Sequence, residues 1–171
     1  MNLKSISFYL SLFVFPVSIL SFVNILYSSY FDYFLSIESY LTTLVASLFL
    51  ASGLYFFGKN VNRKISFIDQ LILVMFIYLI VGILASLPFY MSNSQVTFIN
   101  AFFESISGLT GTGFSTFKTV KYLDPTLILW RSSFQWLGGL YFLIFLILIF
   151  SNKSFNYKMT NLTFTSESNF N

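Results

Sequence analysis

The sequence predicts an all-α membrane protein, and three features of composition and hydropathy support this fold class. Hydrophobic residues make up 56% of the 171 residues and charged residues only 9%, whereas a soluble domain carries about 25% charged residues. The mean hydropathy is +0.78. Four stretches are close to the roughly 20 apolar residues that a helix needs to cross a bilayer. These stretches are Phe8–Tyr30, Ser39–Phe57, Ile68–Pro88 and Thr126–Phe150.

The first stretch follows Lys4 and in this respect resembles a signal peptide. It is longer than the apolar core of such a peptide, and no small-residue cleavage site follows it. We therefore expect it to remain as the first of four transmembrane helices.

The distribution of basic residues predicts the orientation of these helices, because cytoplasmic segments carry an excess of Lys and Arg. With a cytoplasmic N-terminus and four crossings, both termini lie inside. The inside segments then hold six basic residues and the outside segments three. The inside residues are Lys4, Lys59, Arg63, Lys64, Lys153 and Lys158, and the outside residues are Lys118, Lys121 and Arg131.

A shorter apolar piece lies between the third and fourth stretches and predicts a helix over Phe98–Leu109. At 1.5 Å per residue this helix is about 18 Å long, roughly half the length needed to cross the bilayer. Thr97 is its predicted N-cap. The next helix restarts with Asp124 as N-cap and Pro125 as its first residue.

Between these two helices runs a small, hydroxyl-rich segment, Thr110–Thr116, which contains two glycines. Gly and Thr continue a helix poorly, so the segment predicts extended chain. Two interpretations stay open. In the first, the segment re-enters the membrane as a pore loop, whose carbonyl oxygens replace the hydration shell of a monovalent cation. In the second, an amphipathic helix and its loop lie on the outer surface.

The composition excludes several other functions. Neither Cys nor His occurs, so thiolate metal sites and the commonest general base are absent. No paired carboxylates or nucleophile constellation indicate an enzyme. The two loop glycines do not form a phosphate loop, because no strand precedes them and no Lys follows at the required spacing. Nucleic-acid binding is also excluded, since the basic residues are scattered between apolar runs.

Three motifs follow one another along the chain: LPFY at residues 87–90, AFFESISGLTGTGFS at 101–115 and WRSSFQWLGG at 130–139. They resemble the end of the helix before the first pore loop, that loop itself, and the start of the helix after it in the Trk/Ktr/HKT superfamily of potassium uptake proteins. The third motif, and the two helices that precede this unit, are similar to the TrkH branch.

The resemblance implies a fold in which four helix–pore-loop–helix repeats surround one pore. This chain would supply two leading transmembrane helices and one such repeat, which amounts to four transmembrane helices plus a re-entrant pore helix. The implied domains are two N-terminal helices over residues 1–62, the first repeat over 63–153 and a cytoplasmic polar tail over 154–171. The implied function is potassium transport in the cytoplasmic (inner) membrane, as a quarter-pore portion. The alternative is a non-conducting truncated remnant or membrane scaffold.

The resemblance also implies site residues. Gly113 matches the filter glycine, and because a Ser there is associated with sodium preference in plant relatives, Gly113 implies potassium preference. Gly111 departs from the family, which more often has Thr, and is expected to loosen the loop. Potassium is expected at Thr112 and Gly113. The implied selectivity filter comprises Thr110, Gly111, Thr112, Gly113 and Phe114, and the implied pore-helix residues are Glu104, Ser107 and Gly108.

The partners that the resemblance implies are membrane lipid, the remaining repeats or further copies of the chain, and a cytosolic nucleotide-binding regulatory subunit. Potassium is the transported ligand, and no cofactor is expected.

Single residues in the apolar segments have their own interpretations. Glu104 either adds negative potential near the outer mouth or pairs with a backbone group or with Arg131. Pairing is favoured for both residues, since charges within a membrane usually find a partner. Asp69 is expected at the surface, in the first turn of a helix. Gly138 and Gly139 predict a close helix contact.

Overall fold

The computed structural model describes residues 2–32, 37–60, 65–92, 96–117 and 123–150. Within these residues all regular structure is helical and no β-strand occurs, which confirms the predicted all-α class for the described part of the chain. The helices are α1 (Leu3–Tyr30), α2 (Ile37–Gly58), α3 (Phe67–Met91), α4 (Phe98–Leu109) and α5 (Pro125–Phe150).

Four of these helices, α1, α2, α3 and α5, are long and apolar enough to cross a membrane. They contain 22 to 28 residues and therefore measure about 33–42 Å. The four predicted transmembrane stretches are thus confirmed as helices of a multi-pass membrane protein. The helix α4 has 12 residues and matches the predicted short helix at both ends.

Some predictions concern residues outside the described ranges. The domain boundary at residues 62 and 63 and the polar tail over 154–171 are among them, as are six of the nine basic residues used to predict the orientation. The chain divides into two compact units, Met1–Gly139 and Leu140–Asn171. Of the second unit the structure describes residues 140–150, which form the end of α5.

Side-chain caps begin the helices where the sequence predicts them. Thr97 caps α4 by accepting from the amide of Asn100 at 3.4 Å. At the start of α5 the carboxylate of Asp124 accepts from the amide of Thr126 at 2.8 Å. These caps satisfy amides that have no partner within the first helical turn.

The prediction for Asp69 is half wrong. It lies in the first turn of α3, where the cap Ser66 accepts from its amide at 3.2 Å. Its side chain, however, is only 6% exposed instead of lying at the surface. The reason is helical register: residues four apart share a face, and Leu73 and Ile77, the next two positions on that face, are buried in the core.

The helices α1 and α2 pack extensively against each other. A small residue at the end of α2 lets the two helix backbones approach closely there. At the end of α2, a Cβ on Gly58 would lie 2.6 Å from the amide nitrogen of Phe8. Four buried small residues recur at every fourth position of α2: Ser39, Thr43, Ser47 and Ala51.

Contacts with α3 and α5 hold α4 in place. On the α3 side, the hydroxyl of Ser105 donates to the carbonyl of Gly82 at 2.8 Å, and this bond is buried. On the α5 side, a Cβ on Gly138 would lie 1.7 Å from the carbonyl oxygen of Leu109. The predicted close contact is therefore confirmed for Gly138, but Gly139 has no atom within 4 Å of such a Cβ.

Candidate functional site

The candidate site is the loop that follows α4. The helix ends at Leu109, Thr110 and Gly111 form a turn, and residues 112–115 have no regular structure. Gly111 has φ +69° and Gly113 φ +82°. This left-handed region is accessible to Gly and costly for other residues, β-branched ones above all. Both glycines are therefore required by the path of the backbone.

A buried carboxylate in α4 holds the last residues of this loop. Glu104 has no exposed surface, and its Oε1 accepts from the hydroxyls of Ser115 at 2.8 Å and Thr116 at 3.0 Å. The amide of Thr116 donates to the same oxygen. Hydrogen bonds to an ionised group are shorter and stronger than those between neutral groups. Glu104 thus ties the end of the loop to the middle of the helix that precedes it.

Arg131, on α5, completes this arrangement. Its Nε lies 3.2 Å from Oε2 of Glu104, so the predicted pairing of the two residues is present. Its Nη2 donates to the carbonyl of Phe114 at 2.9 Å and to that of Gly113 at 3.3 Å. Because the pair carries no net charge, the guanidinium can bind loop carbonyls without placing an uncompensated positive charge beside them.

The carbonyl oxygens of the loop fall into two groups. Those of Gly113 and Phe114 are held by Arg131, and Phe114 also accepts from the hydroxyl of Ser107 at 2.5 Å. Those of Gly111 and Thr112 accept no hydrogen bond from the residues that the structure describes. The hydroxyls of Thr110 and Thr112 lie 2.7 Å apart. All five residues from 110 to 114 are exposed.

The exposed part of the loop therefore presents neutral oxygens and no titratable side chain. In the described ranges no group of three or more His, Cys, Asp or Glu residues could hold a metal ion. Carbonyl and hydroxyl oxygens suit a monovalent cation that has shed water.

The structure brings most of the predicted site residues together. Glu104 and Ser107 both contact the loop that begins at Thr110. Gly108 lies on the face of α4 that packs against α5, where a Cβ would make an ordinary contact of 3.5 Å with the carbonyl of Arg131. Sequence reasoning does not assign Ser115 and Thr116 as the partners of Glu104. The hydroxyl-rich composition of the loop is the signal that could have suggested them.

A tryptophan on α5 also positions the site without having been predicted to do so. Trp130 is fully buried, and its Nε1 donates to the carbonyl of Ala85 on α3 at 2.9 Å. This bond fixes α5 against α3 one residue before Arg131, so it sets the height at which the guanidinium meets the loop.

Comparison with known proteins assigns the chain to a family. A family model described as TrkH, a cation transport protein, matches residues 36–163. The chain belongs to the TrkH family. The matched residues cover α2 to α5 and so include the loop and both residues of the ion pair. The resemblance seen in the three motifs is confirmed, and the relatives that the chain matches are named as transporters.

Individual relatives are similar at low identity. The Trk system potassium uptake protein TrkH of Escherichia coli K12 is 28% identical over 113 residues, which are 66% of this chain and 23% of that protein. An uncharacterised cation transporter of Methanocaldococcus jannaschii is 28% identical over 126 residues, 70% of this chain and 26% of that protein. TrkI of Halomonas elongata is 43% identical over 56 residues, 33% of this chain and 11% of that protein. No solved structure matches the chain. The matches therefore cover about a quarter or less of these relatives.

Proposed function

We propose that α3, α4 and α5 form one helix–pore-loop–helix repeat of a potassium-conducting path, and that residues 110–114 are its part of the selectivity filter. One observation carries the proposal. The Glu104–Arg131 pair holds a non-helical, glycine-containing loop at the end of a half-length helix, while two successive carbonyls of that loop accept no hydrogen bond from the described chain. A filter needs such carbonyls on a backbone that is otherwise fixed.

Within this proposal the loop oxygens have different roles. Potassium is bound at Thr112 and Gly113, as the resemblance implies. The carbonyl and hydroxyl of Thr112 supply oxygens to the ion, and the carbonyl of Gly111 is the next oxygen along the chain. The carbonyl of Gly113 is shared between the ion and Arg131, and the positive φ of Gly113 sets its direction.

The length and direction of α4 favour a cation at this position. A helix of 12 residues that enters from one face of the membrane ends about 18 Å deep, near the middle of the bilayer. Its C-terminal end carries partial negative charge, and that end is followed directly by the loop. A dehydrated cation there is stabilised, and an anion is disfavoured.

The rest of the protein follows from this assignment. Residues 1–62 form the two leading transmembrane helices, 63–153 the repeat and 154–171 a cytoplasmic tail. The protein lies in the cytoplasmic membrane, and both termini lie on its cytoplasmic side. One repeat lines only part of a pore, so we propose that further repeats or further copies of the chain complete it within the lipid. A cytosolic nucleotide-binding subunit is the proposed regulator.

Uptake of potassium and sodium tests the proposal in cells that lack their own potassium uptake and express the gene for this chain. Gly113→Ser is expected to lower the ratio of potassium to sodium uptake, because its hydroxyl adds an oxygen beside the ion. Gly113→Ala controls for backbone strain, because alanine, like serine, disfavours the positive φ at this position but has no hydroxyl. Gly53→Ser on α2, where a Cβ meets no atom within 4 Å, controls for the substitution itself.

Three outcomes decide between the interpretations. A ratio that is lower in Gly113→Ser than in Gly113→Ala, and unchanged in Gly53→Ser, supports the filter assignment. An unchanged ratio in all variants counts against Gly113 as a filter residue. Uptake no greater than in cells without the gene favours the non-conducting remnant or scaffold.

A further inference from the structure

The proposed function does not use a groove between α1 and α2. Its volume is about 250 Å³, too little for a whole phospholipid but enough for part of an acyl chain. Its two serines, Ser11 and Ser52, donate their hydroxyls to the carbonyls of Phe8 and Phe49 in their own helices. The walls therefore offer a ligand little hydrogen bonding. Most of the wall is formed by Leu12, Phe15, Leu48, Ala51, Tyr55 and Phe56.

Two lysines lie at the end of the helix pair near this groove. Lys59 directly follows α2, and its Nζ lies 4.9 Å from the centroid of the Phe56 ring, which is part of the groove wall. Lys4 is exposed in the first turn of α1. The backbones meet there, since a Cβ on Gly58 would lie 2.7 Å from the carbonyl oxygen of Lys4. Both cations therefore lie at the same membrane surface.

The opposite end of the same helix pair is acidic. Asp32 follows α1 and Glu38 lies in the first turn of α2, and both are exposed. A second hollow on α2, with a volume of about 490 Å³, is lined by Leu41, Thr42, Val45, Ala46 and Phe49. It lies toward this acidic end, whereas Lys59 contacts the wall of the α1–α2 groove. Charge thus distinguishes the two apolar hollows.

We propose that the α1–α2 groove binds an acyl chain of an anionic phospholipid, whose headgroup phosphate lies against Lys59 and Lys4. Basic residues at the membrane surface next to an apolar groove between helices suit such a lipid, because the chain and the phosphate are bound together. A zwitterionic lipid fills the groove equally well, but its headgroup carries no net charge for the lysines. The site is distinct from the loop after α4 and does not depend on ion conduction.

Native mass spectrometry of the whole chain, released from nanodiscs with equal amounts of dioleoyl phosphatidylglycerol and dioleoyl phosphatidylcholine, tests the proposal. The wild-type protein is expected to retain more phosphatidylglycerol than phosphatidylcholine. Lys59→Gln and Lys4→Gln are each expected to reduce that preference about fivefold, the equivalent of about 1 kcal/mol for each basic residue near an anionic surface. Lys121→Gln removes the same charge between α4 and α5 and leaves the preference unchanged.

Filling the groove separates binding of the acyl chain from binding of the headgroup. Ser52→Phe places a ring in the groove from an exposed position, so it is expected to reduce retention of both lipids. Gly53→Phe is the matched control, because Gly53 does not line the groove and a Cβ there meets no atom within 4 Å.

Three results overturn the proposal. The first is equal retention of the two lipids by the wild-type protein. The second is equal retention by Ser52→Phe and Gly53→Phe. The third is a second copy of the chain in the groove. Because the natural chain has no cysteine, Ser52→Cys introduces a single thiol, and efficient disulfide-linked dimers in the bilayer would show that a protein surface occupies this position.

Discussion

Arg131 on α5 joins Glu104 on α4 to the loop that follows α4. Its Nε is 3.2 Å from Oε2 of Glu104, and its Nη2 donates to the carbonyl of Phe114 at 2.9 Å. The side chain of Arg131 is 16% exposed, whereas that of Glu104 has no exposed surface. The loop conformation therefore depends on a buried charge in one helix and its neutralising partner in another.

Removing the arginine should destabilise the protein strongly. Arg131→Met leaves the carboxylate of Glu104 buried without its cation, and breaking a buried pair in this way costs about 3–5 kcal/mol. We expect a loss near the lower end of that range, because the guanidinium is partly exposed. The free energy of unfolding in mixed detergent micelles measures it.

The double variant Arg131→Met with Glu104→Gln gives the sharper comparison. It removes both charges and keeps an oxygen that can accept from Ser115 and Thr116, so it should be more stable than Arg131→Met alone. Ser132→Ala, which removes only an exposed hydroxyl bonded within α5, should change the stability by less than about 0.5 kcal/mol. If the double variant is no more stable than the single one, the pair does not hold the loop.

The sequence predicts the helices well because their signals are local. The bounds of α4 are set by the Thr97 cap and by the glycines after Leu109, and both signals can be recognised without knowledge of the tertiary structure. The burial of Asp69 is not predictable in this way, since it depends on which face of α3 packs inward. Hydropathy alone assigns a charged residue to the surface.

The candidate site is predictable to a similar extent. A carboxylate inside an apolar segment needs a partner, and this rule selects Arg131 for Glu104. The same rule does not show that Arg131 also binds the carbonyls of Gly113 and Phe114. That contact depends on the rotation and height of α5 relative to α4, which the Trp130–Ala85 hydrogen bond helps to fix. No spacing within the sequence encodes this relation.

That hydrogen bond should contribute measurably to stability. Trp130→Phe removes the donor from the buried carbonyl of Ala85 and leaves a small void, for an expected loss of about 1–3 kcal/mol. Trp136→Phe is the control, because Trp136 is 69% exposed and should change the stability little. The unfolding free energies of the two variants provide the measurement, and equal losses would argue against a role for the indole N–H.

The conformation of Gly111 predicts the cost of changing it. Gly111→Thr introduces the residue that the resemblance leads one to expect, but a β-branched side chain at φ +69° is strongly disfavoured. Gly111→Asn should be tolerated better, since Asn enters this region more readily. Hydrogen exchange of the peptide over residues 110–117 should be faster in the Thr variant than in the Asn variant. Similar rates in the two variants would mean that the loop does not require a positive φ at this position.

Gly138 and Gly139 are adjacent in α5 and should respond oppositely to substitution by alanine. A Cβ on Gly138 would lie 1.7 Å from the carbonyl oxygen of Leu109, so Gly138→Ala must push the end of α4 away from α5. Such overpacking typically costs about 1–3 kcal/mol.

Gly139→Ala meets no atom within 4 Å and should stabilise the helix by up to about 1 kcal/mol, the difference in helix propensity between Gly and Ala. Because Leu109 is the last residue of α4, the displacement in Gly138→Ala should also reach the loop. Hydrogen exchange should therefore rise over residues 110–117 in Gly138→Ala and stay unchanged in Gly139→Ala. If both variants unfold at the same free energy and exchange at the same rate, α5 does not contact α4 through Gly138.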